Sequence, residues 1–264
     1  MEYPATVVDQ MGRRITLVRR PRRIVSLVPS QTELLAHLGL DQEVVGITKF
    51  CIHPEHWFRN KPRVGGTKQY DFEKIAALQP DLIIGNKEEN DKAQIEKLMQ
   101  LYPVWMSDIY GLDDALSMIS GIGHITQRAT QAEELRLEIL NGFSTLLDNH
   151  PKPRRTAYFI WRNPWMVAGQ RTFIHEMLKY CSLKNVFAHS DSRYPEVTAE
   201  MLRAANPELL LLSSEPYPFK EKHVAELQAV CPHAEIKLVD GEMFSWYGSR
   251  LRLAPAYFRQ LSNP

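Results

Sequence analysis

The sequence predicts an α/β fold of two similar lobes. Each lobe is a parallel sheet covered by helices, one long rigid helix bridges them, and a ligand cleft is expected between them. Three observations carry this. Short strands, apolar on both faces, alternate with helical segments, the pattern of parallel sheets buried on both sides. Residues 112–148 break that alternation with almost no β signal and no proline. The segments DFEKIAALQPDLII and TAEMLRAANPELLLL repeat one local design in the two halves.

The elements follow in order. Ile24-Val25-Ser26-Leu27-Val28 is the first clear strand. Pro29 ends it, and Ser30 or Thr32 is positioned to cap a helix from Glu33 to Leu38. Gly39 closes that helix, and Glu43–Ile47 reads as a second strand. A helix at Phe72–Leu78 and Pro80 precede the apolar strand Leu82–Ile84. A further helix at Lys92–Leu101 leads to Val104-Trp105. Beyond Leu112, the residues Leu135, Ile139, Phe143, Leu146 and Leu147 recur at helical spacing, so Thr130–Leu147 reads as one long helix ended by PKPRR at 151–155. Alternation then resumes. Strands are expected at Ala157–Trp161, Leu209–Leu212 and Ile236–Val239, with helices at Phe173–Tyr180, Ala199–Ala205 and Glu221–Val230. The expected domains are 1–125, a bridging helix at 126–150, and 151–264.

The internal repeat is specific in detail. Asp71 and Thr198 are both plausible N-caps. Glu73 and Glu200 sit two residues later, and Pro80 and Pro207 seven residues after those glutamates. An acid follows each proline, Asp81 or Glu208, and then a strand. A cleft between two such lobes is a favoured place for a small ligand.

Composition narrows the function. The chain has 264 residues, 44% hydrophobic and 24% charged, with a net charge of +1. This is a globular composition, and the charge balance gives no footprint for broad nucleic-acid binding. Arg19, Arg20, Arg22 and Arg23 form a local basic cluster, read as a solvated approach to a strand. No apolar run reaches the roughly 18–20 residues of a membrane span. The N-terminal MEYPATVVDQMGRR lacks the apolar core of a signal peptide. Either the protein is cytoplasmic, or a targeting segment lies outside this sequence. Cys51, Cys181 and Cys231 allow at most one disulfide; pairing of Cys181 with Cys231 stays open.

RRIVSLVPSQTELLAHLGL, VVGIT, RVGGT and FEKIAALQPDLII together resemble the opening lobe of periplasmic binding proteins for cobalamin and ferric siderophores, the substrate-binding components of ABC importers. The likeness continues through NPWMVAGQRTFIHEMLKYCSLKNVF and SRYPEVTAEML, and so covers the chain from about residue 7. The cobalamin-binding members are the most similar. The resemblance implies two α/β lobes bridged by a rigid helix, a metal chelate as ligand, no intrinsic cofactor, no catalysis and a monomeric state. It also implies a periplasmic or cell-surface location. Members dock on the membrane permease subunits through one surface glutamate per lobe, and those positions match Glu73 and Glu200. Two fixed carboxylates suit charge-assisted bonds to arginines of a partner. The competing reading is that each acid only favours its helix N-terminus.

A flat chelate needs aromatic faces and a few orienting polar groups. The resemblance puts Phe50, Trp165 and Tyr194 at aromatic contacts, with Trp161, Trp246 and Tyr247 within a residue or two of others. Two positions depart from the pattern: Thr67 and Asn86 stand where the cobalamin-binding members carry tryptophans. Arg162, Arg193 and Arg250 lie near the expected cleft, and guanidinium groups suit the anionic oxygens of siderophores or haem propionates. The arginines keep a ferric-siderophore or haem ligand open beside a corrinoid.

KFCIHPEHW, residues 49–57, sets Cys51, His53 and His56 close together. Pro54 suits the first turn of a short helix, with His53 as its cap and His56 inside it, so these side chains need not converge. A structural zinc site wants four ligands and no second Cys/His pair appears, so no protein-held metal is expected. A single histidine reaching a chelate's metal as an axial ligand stays open. Asp108, Asp113 and Asp114 read as caps of the helix near Leu112 rather than an acidic site. The alternative class is an intracellular enzyme or chaperone handling a tetrapyrrole or metal. Against it, the sequence holds no P-loop and no GxSxG.

Overall fold

A hairpin opens the chain. β1 (Ala5–Val8) pairs antiparallel with β2 (Arg14–Leu17), and the Asp9 carboxylate holds the turn by accepting from the amides of Met11 and Arg13. The sequence reading starts its strands at Ile24 and misses this pair, because four-residue strands with half-exposed faces give a weak signal. The computed structural model describes residues 2–146 and 152–262. Two units divide the described chain. The first comprises the stretch up to Ile109, Asp113–Ile139 and Tyr247–Arg250. The second comprises Tyr110–Leu112, Leu140–Trp246 and the stretch from Leu251 on.

The first unit holds a parallel sheet of β3 (Ile24–Ser26), β4 (Val44–Ile47), β5 (Leu82–Asn86) and β6 (Val104–Ser107), in the order β4-β3-β5-β6. Every residue of β3, β5 and β6 is buried, as expected where helices cover both faces. The first helix, α1 (Pro29–His37), starts a turn earlier than expected. Val28 is its cap residue and Pro29 takes the first turn, where a missing N–H costs nothing. Thr32 donates its hydroxyl back to the Val28 carbonyl at 2.9 Å instead of capping. α2 (Glu55–Asn60), α3 (Phe72–Leu78) and α4 (Lys92–Met99) complete the alternation.

Residues 112–146 hold two helices, α5 (Leu112–Ile125) and α6 (Ala129–Ser144). Ala115, Met118, Ile119 and Ile122 of α5 are fully buried at helical spacing. Gln127, at φ 57, breaks the path between the helices. Gly123 permits the turn: a Cβ there would collide with the Cβ of Ala132 and sit 3.1 Å from the Arg128 carbonyl oxygen. The border between the two units falls inside α6, after Ile139. The expected bridge and its leucine pattern run on to Leu147 and 148–150, which lie outside the described residues, as does Pro151.

The second unit is built on β7 (Arg154–Trp161), β8 (Met166–Val167), β9 (Leu183–Asn185), β10 (Leu209–Ser213) and β11 (Glu235–Val239). The order is β11-β10-β7-β8, with β9 also paired to β7; β8 is the antiparallel member. Its helices are α7 (Phe173–Tyr180), α8 (Ala199–Ala205), α9 (Glu221–Val230), α10 (Glu242–Ser245) and α11 (Ala254–Ser262). Ala157, Phe159, Leu202, Leu210, Leu212 and Leu227 meet in its core. α11 has no counterpart in the sequence reading.

The repeat is a physical one. Asp71 and Thr198 each cap their helix by accepting an amide three residues on, from Lys74 at 3.1 Å and Met201 at 3.3 Å. Gln79 and Asn206 end α3 and α8 in the left-handed conformation, at φ 46 and 44. Asp81 accepts from the amides of Arg22 and Arg23, and Glu208 from that of Arg155 at 2.8 Å. The guanidinium of Arg23 then donates to the carbonyl of Leu78, and that of Arg155 to the carbonyl of Ala205, the last residue of each helix. The basic cluster is therefore more than a solvated approach. Arg23 ties a helix end to a strand start, and Arg20 pairs with Glu43 at 2.8 Å.

Candidate functional site

In open parallel sheets ligands gather at the carboxyl ends of the strands. In the first unit these ends carry a polar, mostly buried set. Ser26, Thr32, Thr48, Asn86, Asn90 and Ser107 are each under 5% exposed. Asn86 donates to Ser107 Oγ at 2.9 Å and accepts from the amides of Glu88 and Glu89 at 2.8 and 3.1 Å. It fixes the loop after β5 rather than facing solvent. The Thr67 carbonyl accepts from Tyr70 and Asn90 in the same way. Gly65, at φ +114, makes the tight turn before it, where a Cβ would collide with the Gln69 carbonyl oxygen. Phe50 leaves β4 outward. It is 50% exposed, with the Lys49 ammonium 5.0 Å from its ring.

The Cys51–His56 stretch does not converge. The Cys51 thiol points into the core, within 3.0 Å of Thr32 Oγ1 and 3.1 Å of Thr48 Oγ1, and burial pushes its pKa up. His56 turns the other way, to Asp41 at 3.3 Å. Pro54 is the cap residue of α2, one position before the first turn expected of it, so His53 precedes the cap. Among the described residues no group of three or more His, Cys, Asp or Glu is arranged to hold a metal ion. Cys181 and Cys231 are separate buried thiols. Asp113 and Asp114 lie in the first turn of α5, and Asp108 pairs with Lys87 at 2.6 Å.

The second unit displays a connected aromatic surface at the end of β7. Trp161 is 41% exposed and lies edge-on to Tyr217 at 5.6 Å. Arg162 sits 4.9 Å from the Trp165 ring and pairs with Glu226 at 2.6 Å. Trp165 stacks on Phe219, 6.0 Å away and only 4° from parallel. Tyr194 follows Arg193, whose guanidinium lies 5.2 Å from the Tyr110 ring and 5.7 Å from the Tyr194 ring. That loop runs beside β8: Val197 donates to the Trp165 carbonyl and Val167 to that of Pro195.

Two expected ring contacts are buried. Trp246 is 6% exposed and donates from Nε1 to Glu215 Oε1 at 2.9 Å. Burial raises the Glu215 pKa, with Glu242 and Asp240 adding to the effect. Tyr247, also 6% exposed, donates to Glu89 at 2.5 Å, and burial raises its phenol far above the usual range. Arg250 is committed to Glu33 through two bonds, at 3.0 and 2.6 Å. Tyr247 and Arg250 thus hold a late stretch of chain on the first unit.

Glu73 and Glu200 are exposed, each at the second position of its helix. Hydrogen bonding to its own backbone N–H, then to Thr198, holds the Glu200 carboxyl below its usual range. Sequence reasoning missed Tyr217, Phe219 and His223. The signal was there: in SEPYPFKEKH aromatic residues alternate with prolines just past a strand.

The chain folds as two α/β units, and known structures share the fold. The chain is similar to the periplasmic vitamin B12 binding protein BtuF of Vibrio cholerae, with a TM-score of 0.77 and 22% identity over 93% of this chain and 99% of that one. It is similar to the periplasmic heme-binding protein RhuT from Roseiflexus sp. RS-1, at 0.77 and 20% over 92% and 98%. These likenesses are of fold. In sequence, it is 26% identical to the vitamin B12-binding protein of Yersinia pestis (strain Pestoides F) over 194 residues, 72% of this chain and 69% of that one. Residues 24–230 match the periplasmic binding protein family, and the chain belongs to it. No described helix is long and apolar enough to cross a membrane.

Proposed function

We propose that this chain is the substrate-binding component of an ABC importer, a monomer that captures a flat metal chelate without chemical turnover. A corrinoid is the first choice of ligand. The observation that carries this is the aromatic surface at the end of β7, where an exposed Trp161 and the neighbouring Trp165 rest on Tyr217 and Phe219. Rings supported from behind offer apolar area at little cost in ordering. Phe50 is the corresponding exposed ring of the first unit. Likeness to a vitamin B12-binding protein supports the corrinoid.

A second reading, haem or a ferric siderophore, is favoured by Arg193, held between Tyr110 and Tyr194, where a guanidinium suits an anionic oxygen. The role of Glu73 and Glu200 in this reading is docking on arginines of the permease, one glutamate per unit.

Titration with cobalamin, haem and a ferric hydroxamate, followed by tryptophan fluorescence, tests the reading. One-to-one quenching by cobalamin, reduced about five- to 150-fold in affinity by Trp161→Ala, is expected, since base-sized stacking is worth about 1–3 kcal/mol. Response to haem or the hydroxamate alone, lost with Arg193→Ala, selects the second ligand class. Silence with all three rejects capture of such chelates.

A further inference from the structure

Behind the Trp161–Trp165 surface lies a buried histidine. His223 is 2% exposed on the first turn of α9. Its Nδ1 accepts the backbone N–H of Lys220 at 2.9 Å, and its Nε2 lies 3.2 Å from the Tyr217 hydroxyl. An Nδ1 that accepts an N–H carries no proton, so the neutral ring holds its hydrogen on Nε2 and donates to Tyr217. The ring also touches both aromatic residues of the loop after β10, with centroids 5.4 Å from Tyr217 and 5.4 Å from Phe219. Those two rings are the ones that carry Trp161 and Trp165.

We propose that His223 is a proton-sensitive latch on this aromatic surface. Uncharged, it pins the 214–220 loop and the rings beneath Trp161 and Trp165; protonated, it lets them go, and chelate affinity falls in acid. The effect on affinity rests on the chelate-capture reading; the latch itself does not.

The chemistry is a matter of donors. A protonated imidazole donates from both nitrogens, so the Lys220 N–H loses its acceptor and faces another N–H. The buried pair must then separate. The charged groups around the ring do not rescue the cation. On α9 itself are Lys222 and Glu226; from the β7–β8 turn comes Arg162; from the loop, Lys220 and the uncharged Tyr217. Glu226 is the one anion among them, and it is already paired with Arg162 at 2.6 Å. Burial, then Lys222, depress the His223 pKa, against smaller raising contributions from Glu226 and the Lys220 backbone. The sign follows. The latched form binds fewer protons than the released form, so latching is complete above the ordinary histidine value and is lost as pH falls. Below about pH 6.5 the ratio of latched to released protein falls by at most about tenfold per pH unit.

The full chain labelled with 5-fluorotryptophan gives a ¹⁹F resonance for each tryptophan, with Trp161→Phe and Trp165→Phe assigning the two of interest. The expected result is that both resonances move together between pH 7.5 and 4.5, with one midpoint below 6.5. In His223→Asn they stay still, because Asn Oδ1 takes the place of Nδ1 as an acceptor that does not titrate. Cobalamin affinity, read by fluorescence, should fall with the same midpoint in the wild type and lose that dependence in the variant. Resonances that do not move in the wild type, or that move equally in His223→Asn, overturn the latch. If the variant does not fold, a long-range ¹H–¹⁵N spectrum of the wild type decides: a His223 protonated on Nδ1 at pH 7.5 overturns the proposal, and one protonated on Nε2 alone supports it. Moving resonances without binding of cobalamin, haem or ferric hydroxamate uphold the latch and remove the chelate.

Discussion

Glu215 shows how a single side chain records its surroundings. It accepts from Ser245 Oγ at 2.5 Å and from Trp246 Nε1 at 2.9 Å on the same oxygen, Oε1. Burial raises its pKa, so the folded chain holds this proton more tightly than the unfolded chain. Its contribution to stability is full below the ordinary glutamate range and is lost as pH rises through the folded value. Glu215→Gln keeps an Oε1 acceptor and carries no charge. Thermal unfolding should therefore give the variant a higher Tm than wild type at pH 7.5 and an equal one at pH 4; an equal gain at both would sink the account. Residues of this kind mark the limit of what sequence shows. Trp161 and Trp246 look alike in the string, each beside a turn signal. One is 41% exposed and the other 6%, because the buried one has an acceptor for its N–H and the other does not need one. Arg162 and Arg250, read from sequence as lying near the expected cleft, are each paired with a carboxylate, Glu226 and Glu33. Partners distant in sequence decide exposure, and spacing along the chain does not report them.

At the scale of elements, sequence did better. Strands β3, β5 and β10 open on runs of buried Ile, Val and Leu, and α3 and α8 sit between matching caps. Local chemistry sets these, so local reading finds them. The failures are equally physical. β1 and β2 gain their place by pairing, and the α5–α6 corner depends on a contact between Gly123 and Ala132 that no window of sequence displays. That corner is testable. Gly123→Ala should destabilise the protein by about 1–3 kcal/mol through overpacking, measured by urea unfolding. Adding Ala132→Gly removes the opposing methyl and should recover most of the loss. A double variant no more stable than the single would mean that Gly123 is needed for some other reason than this contact.

For the molecule as a whole, the twin glutamates give the sharpest test of the transport role. Glu73→Ala and Glu200→Ala should leave chelate binding by the isolated protein unchanged. Each should lower uptake by membrane vesicles carrying the cognate permease, and the pair should nearly abolish it. Unchanged uptake by the double variant would reduce both acids to charges that only favour their helix N-termini. The path of the chain has a separate consequence. The first unit is not finished when its sheet is: Glu33 and Glu89 wait for Arg250 and Tyr247. On a ribosome, where domains tend to mature from the N-terminus as they emerge, those two carboxylates stay without these partners until residues 247–250 have been made. The first unit gains its full set of contacts only after that stretch is made, so a gene fragment ending before Tyr247 encodes an unfinished unit rather than a smaller protein.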